Sequence, residues 1–154
     1  MFRKFIVPLL VSAACVAFTL WLSGFFRYAG VQGLIDAPSF IISIVVPYLL
    51  ASIGFGLSGT KASYRAPFDA NAGRAELAKA RAYFRALMRY IIAWTAFAIV
   101  TGFITILVNA AQNTAAIGLN VAVCILSALY AAIIPIFFII PFRTTIDERL
   151  AETD

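Results

Sequence analysis

Histidine does not occur in this 154-residue chain, and only 12% of its residues carry charge. The first absence removes the commonest metal ligand and general base. The second, set beside 63% hydrophobic residues and a mean hydropathy of +0.96, excludes an ordinary water-soluble domain, in which about a quarter of the residues are charged. Lipid is the natural solvent for such a composition. Cysteine is scarce too: Cys15 and Cys124 both fall in apolar runs, so two buried free thiols are expected and no disulfide. There is no Cys/His metal spacing, no glycine-rich phosphate loop and no nucleophile beside a base. Catalysis, a bound metal and an organic cofactor are therefore not expected of this chain.

What is present is apolar length. Four stretches, roughly 5–26, 39–57, 87–109 and 119–142, approach or exceed the ~20 residues that cross a bilayer as a helix. The predicted fold is all-α, a single membrane domain over 1–154 with four transmembrane helices. Arg3 and Lys4 ahead of the first stretch, and "VSAAC" within it, resemble a processed leader. The apolar run continues well past Cys15, however, which argues for a retained helix. Cations then set the orientation. Arg3 and Lys4, the seven from Lys61 to Arg89, and Arg143 and Arg149 all fall on one side, leaving Arg27 alone on the other. The positive-inside rule places both termini in the cytoplasm. This segregation also assigns the net charge of +5 to a membrane and not to nucleic acid.

Local signals refine the picture. In "GLIDAPSFIISIVV", Asp36 is placed to cap a helix by accepting from the Ser39 amide, and Pro38 fits the first turn. The cytoplasmic segment 59–86 divides into a turn-like part with Pro67 and glycines at its ends, then an alanine-rich helix former. One unbroken helix is expected over 72–110, about 58 Å long at 1.5 Å per residue. Its lower third would stand in the cytoplasm as a solvated stalk with snorkelling arginines, or as a dedicated binding patch. "AAQNTAAIG" turns the chain into the last helix, expected over 119–142, and a cytoplasmic tail follows at 143–154.

Apart from Arg89 at the inner margin of the third stretch, none of the four contains Asp, Glu, Lys or Arg. Proton pumps and transporters generally keep such a group in the membrane. Hydroxyls remain. Phe97, Thr101, Thr105 and Asn109 recur every four residues on the third helix. Counting outward from a turn near Thr114, Thr101 and Ser127 come to one depth, near mid-bilayer. They could line a wet path, or simply bond back to their own helices while small residues permit close packing. Pro47 and Pro135 sit inside helices and free the carbonyls of Ser43 and Ala131, which is tolerated where other groups satisfy them.

Two stretches carry a resemblance. "GLIDAPSFIISI" resembles the start of the second membrane helix of flagellar stator A-subunits, the MotA type. "NTAAIGLNVAVCILSALYAAIIPIFFIIP" is similar to their last helix, with Gly118, Ala122, Val123, Leu129, Tyr130 and Pro141 in register. MotA, TolQ and ExbB form one family of ion-driven motors and energisers of the bacterial inner membrane. The resemblance implies a proton-channel subunit, a pentamer around single-span MotB- or ExbD-like partners that supply the ion-binding aspartate. It implies an ion pathway lined by Thr101, Thr105, Ser127 and Ala128, and structural roles for Asp36, Pro38, Gly118, Tyr130, Pro135 and Pro141. Alanine at 128, where the family has a second threonine, favours protons over Na⁺. The large cytoplasmic region of stator subunits has no counterpart here, nor does the proline that starts their third helix.

Overall fold

A computed structural model describes residues 2–22, 34–110 and 115–152, and all secondary structure among them is helical. We number four helices: α1 (Phe2–Leu22), α2 (Ala37–Arg65), α3 (Arg74–Ala110) and α4 (residues 115–152). Three of them are long and apolar enough to cross a membrane, and α1 contributes a shorter apolar run, Ile6–Leu22. The expected end of the first helix at Phe26, the position of Arg27 and the centre of the 110–118 turn lie outside the described residues.

α2 and α4 are longer than the sequence suggests, while α3 matches its expected span to within two residues, beginning at Arg74 instead of Ala72. α2 runs on through "GTKASYR", a stretch read as turn, and the connection to α3 shrinks to residues 66–73. α4 likewise continues through residues read as a tail, as far as Glu152. Arg149 explains both extensions. Its guanidinium reaches across to the end of α2, donating to the carbonyls of Ala66 and Asp69 at 2.7 Å and of Ala70 at 3.4 Å. Ala66 directly follows α2, where a helix leaves carbonyls in need of donors and a cation is favoured, and Asp69 and Ala70 belong to the turn beyond it. Inside the turn, the Asn71 amide donates to Asp69 Oδ1.

α3 packs along both α2 and α4, while α1 touches mainly the inner half of α4. The main core lies at the end of this bundle that holds the α2–α3 connection, the inner end if the chain sits as its charge pattern predicts. Leu77, Ala80, Tyr83, Phe84, Leu87 and Ile91 of α3 bury against Ala51 of α2, Ala66 just past its end, and Ile139 and Ile146 of α4. Rings fill the space between: Tyr64 meets Tyr83, Phe84 and Phe142 edge to face at 5.2–5.7 Å between centroids, a favoured aromatic geometry. The lower part of α3 is therefore no solvated stalk. Its arginines do reach outward, and Arg81 pairs with Asp147 of α4 at 2.8 Å.

Two prolines inside helices are accommodated in the same way. The chain widens into a π turn over Ile41–Val45 and again over Pro135–Ile139. Each turn ends two residues before a buried proline, Pro47 and Pro141. The intervening residues, Val46 and Ile140, donate five residues back, to Ile41 and Pro135. A proline ring collides with the carbonyl four residues earlier and has no N–H to offer it. One extra residue in the preceding turn relieves that conflict without ending the helix.

Elsewhere the bundle shows its apolar side outward. Phe18, Trp21, Ile53, Leu57 and Leu107 are each more than half exposed. In water such a surface would be an association liability; in a bilayer it is the expected exterior. Both cysteines are free, but Cys15 lies exposed on α1 and only Cys124 is buried. A single apolar helix with few neighbours has no inside in which to hide a thiol.

Candidate functional site

The outer halves of α2, α3 and α4 do not close completely. They leave a half-open cavity of about 260 Å³, whose wall includes Pro38, Ser39 and Ile42 of α2, Thr101, Gly102 and Thr105 of α3, and Asn120, Cys124 and Ser127 of α4. Thr101 and Ser127 thus border one space from opposite helices, Ser127 buried and Thr101 half-buried.

Each hydroxyl in this wall commits its proton to the backbone. Thr101 Oγ1 donates to the carbonyls of Phe97 and Ala98 at 2.9 and 3.0 Å, and Thr105 Oγ1 to that of Thr101 at 3.0 Å. Ser127 Oγ donates to the Val123 carbonyl at 3.2 Å, and Ser39 Oγ reaches the same carbonyl from α2 at 3.3 Å. A hydroxyl has one proton and two lone pairs. With the protons spent inward, these oxygens offer the cavity only acceptors. The hydroxyl part of the wall suits a guest that brings its own hydrogens or positive charge, such as water, a protonated carboxyl or a small cation; Asn120 adds an amide that can donate as well as accept.

Close approach keeps the cavity narrow. A Cβ added to Gly102 would overlap Cys124 Sγ, so the missing side chain at residue 102 lets α3 and α4 meet here with the Cys124 thiol turned between them.

The outer rim is held by Tyr130. Its hydroxyl donates to the Leu34 carbonyl and accepts from the Asp36 amide at 2.9 Å. Asp36 in turn accepts from the Ser39 amide at 2.9 Å and caps α2 as its sequence suggests. Phe40 stacks edge-on against the Tyr130 ring, 5.8 Å between centroids. The "IDAPS" and "LY" segments, distant in sequence, therefore meet in one clasp.

Of the remaining residues singled out from the sequence, Ala128 is exposed and faces away from the cavity, and Gly118 is exposed near the start of α4. Pro135 and Pro141 are buried in and beside the second π turn. Sequence reasoning missed Ser39, Gly102, Asn120 and Cys124 as wall residues. An amide within an apolar run, as at Asn120, was the available signal, because polar groups in a membrane rarely lack a purpose. Among the described residues, no group of three or more metal-ligating side chains gathers.

No family model, curated protein or solved structure matches this chain.

Proposed function

We propose that this chain is a channel-forming subunit of an ion-driven, proton-coupled membrane motor or energiser, built around a single-span partner that supplies the titrating carboxylate. The observation that carries the reading is a cavity bordered by accepting hydroxyls, in an apolar bundle whose spans, Arg89 at one margin apart, bring no acid or base of their own. A protonated carboxyl is the complement of that wall. It would donate where Thr101, Thr105 and Ser127 can only accept, and a partner helix would deliver it. On this reading the chain is a four-span protein of a bacterial inner membrane, with both termini in the cytoplasm and the lower part of α3 projecting there. It assembles as a homo-oligomer, a pentamer by the resemblance described above. The meeting of the two resembling segments at Tyr130 supports treating them as one motif. Exposed Ala128 then belongs to a face turned toward a neighbouring subunit or partner.

A second reading, a non-conducting tetraspan scaffold, draws on the same back-bonded hydroxyls and on the Gly102–Cys124 approach, since both also serve tight packing. Ion flux separates the two. In vesicles containing the complex with its partner, Thr101→Val and Ser127→Val are expected to cut proton flux by about tenfold or more, with particle size unchanged. An unaltered flux in both variants would remove the cavity from the ion pathway and leave the scaffold.

A further inference from the structure

A second polar site lies at the inner end of α2. At Gly56 the backbone leaves helical geometry, with φ 73° and ψ 156°. On a straight helix Tyr48 and Tyr64 would be about 24 Å apart along the axis. With the bend between them, Tyr48, Thr60, Lys61, Tyr64 and Arg65 line one cavity of about 430 Å³.

The break also frees a donor. Ser63 lies seven residues past Gly56 and back-bonds normally, donating to the Gly59 carbonyl at 2.8 Å. Thr60 would use the carbonyl of Gly56, the displaced residue, and its hydroxyl makes no backbone hydrogen bond and none of good geometry, although only 5% of the residue is exposed. Behind it stand Ser52 and Tyr83, buried and also without a hydrogen bond of good geometry, although Tyr83 lies close enough to Tyr64, Ser52 and Thr60 to interact with each. A buried hydroxyl that its neighbours pair only poorly gains from an added partner.

Charge says which kind. Lys61 and Arg65 are the charged residues in the wall, and no acid lines this cavity. The same two cations border a larger neighbouring cavity of about 920 Å³, where Lys79 stands with Asp69 and Glu76. Hydroxyl donors with two cations make a set that matches phosphate oxygens, which are acceptors only. Basic pockets between membrane helices on the cytoplasmic side take anionic headgroups for this reason.

We propose that Thr60, Lys61, Tyr64, Arg65 and Tyr48 form a phosphate-binding site, created by the bend at Gly56, for the headgroup of an anionic phospholipid or for free phosphate. The site does not depend on the channel reading, and its test does not involve flux. The full chain in detergent is titrated with short-chain phosphatidylglycerol, with phosphatidylcholine of equal chain length, and separately with inorganic phosphate, and thermal stabilisation is followed. Stabilisation by phosphatidylglycerol over phosphatidylcholine identifies the lipid as the ligand; stabilisation by inorganic phosphate alone identifies the free ion. Lys61→Gln with Arg65→Gln is expected to weaken binding about thirtyfold. Thr60→Val, which leaves the charge unchanged, is expected to weaken it about fivefold, and Thr60→Ser to restore it. Arg85→Gln with Arg89→Gln removes two cations elsewhere on the inner side and should leave affinity unchanged. Equal weakening by that control pair, or no stabilisation by either anion, overturns the site.

Discussion

The two ends of the bundle are built from different materials. At the inner end, Tyr64, Tyr83, Phe84 and Phe142 interlock with Leu77, Leu87 and Ile146, and the turn between α2 and α3 is pinned by Arg149. At the outer end the facing residues are Ser39, Thr101, Gly102, Cys124 and Ser127, and a cavity remains. Rings fill volume and fix a single packing. Small residues and hydroxyls let helices approach closely but leave room, and they can change partners at little cost. One end holds the helices together, and the other is left adaptable around a guest. The division explains how the bundle can keep a cleft with hydroxyls in its wall open at one end without collapsing into it.

Substitutions can break or sharpen this contrast. The largest effect is expected at the inner end: Phe84→Ala, at a fully buried residue, should cost about 3–5 kcal/mol, read as a lowered unfolding midpoint in detergent. Next comes Gly102→Ala, which sets a Cβ against Cys124 Sγ and should cost ~1–3 kcal/mol by overpacking. Adding Cys124→Ala should recover most of that loss, and a double-mutant cycle measures the coupling. Tyr130→Phe leaves the Asp36 amide without its acceptor and should cost about 1–2 kcal/mol. That loss should be felt locally, as faster amide exchange over residues 35–40 with the aromatic end unchanged. The smallest effect belongs to Arg81→Gln. The ion pair with Asp147 is roughly 40% exposed on both sides, and such pairs contribute ~0.2–1 kcal/mol. A loss at Arg81 as large as at Phe84 would mean that charge, and not ring packing, holds the inner end.

Much of this organisation is legible in the sequence. Apolar length marks the long helices, and "DAPS" announces the cap that Asp36 makes, because both signals are local. The inner core was misread although its pattern is there. Leu77, Ala80, Phe84, Leu87 and Ile91 follow an alternating three-and-four spacing, the seam of a packed helix, while Ile139, Phe142, Ile146 and Leu150 give a similar row on α4. Five cations among alanines drew attention to solvent and away from that seam. The cavity was half legible. Thr101 and Ser127 could be placed at one depth by counting from the turn, but nothing local shows that Ser39 of α2 joins them, or that Ala128 turns away. Tyr130 illustrates the same limit, since its partners lie 94 and 96 residues away in the chain.

The inward-turned hydroxyls have a further consequence. A relay of the kind that carries protons through water needs every member to hand one on as it takes one in, and Thr101, Thr105 and Ser127 have each tied theirs to a carbonyl. By itself, then, such a wall would insulate. On the channel reading, a cell making this subunit without its companion would keep its membrane potential, and leakage would begin only when the companion's helix arrives.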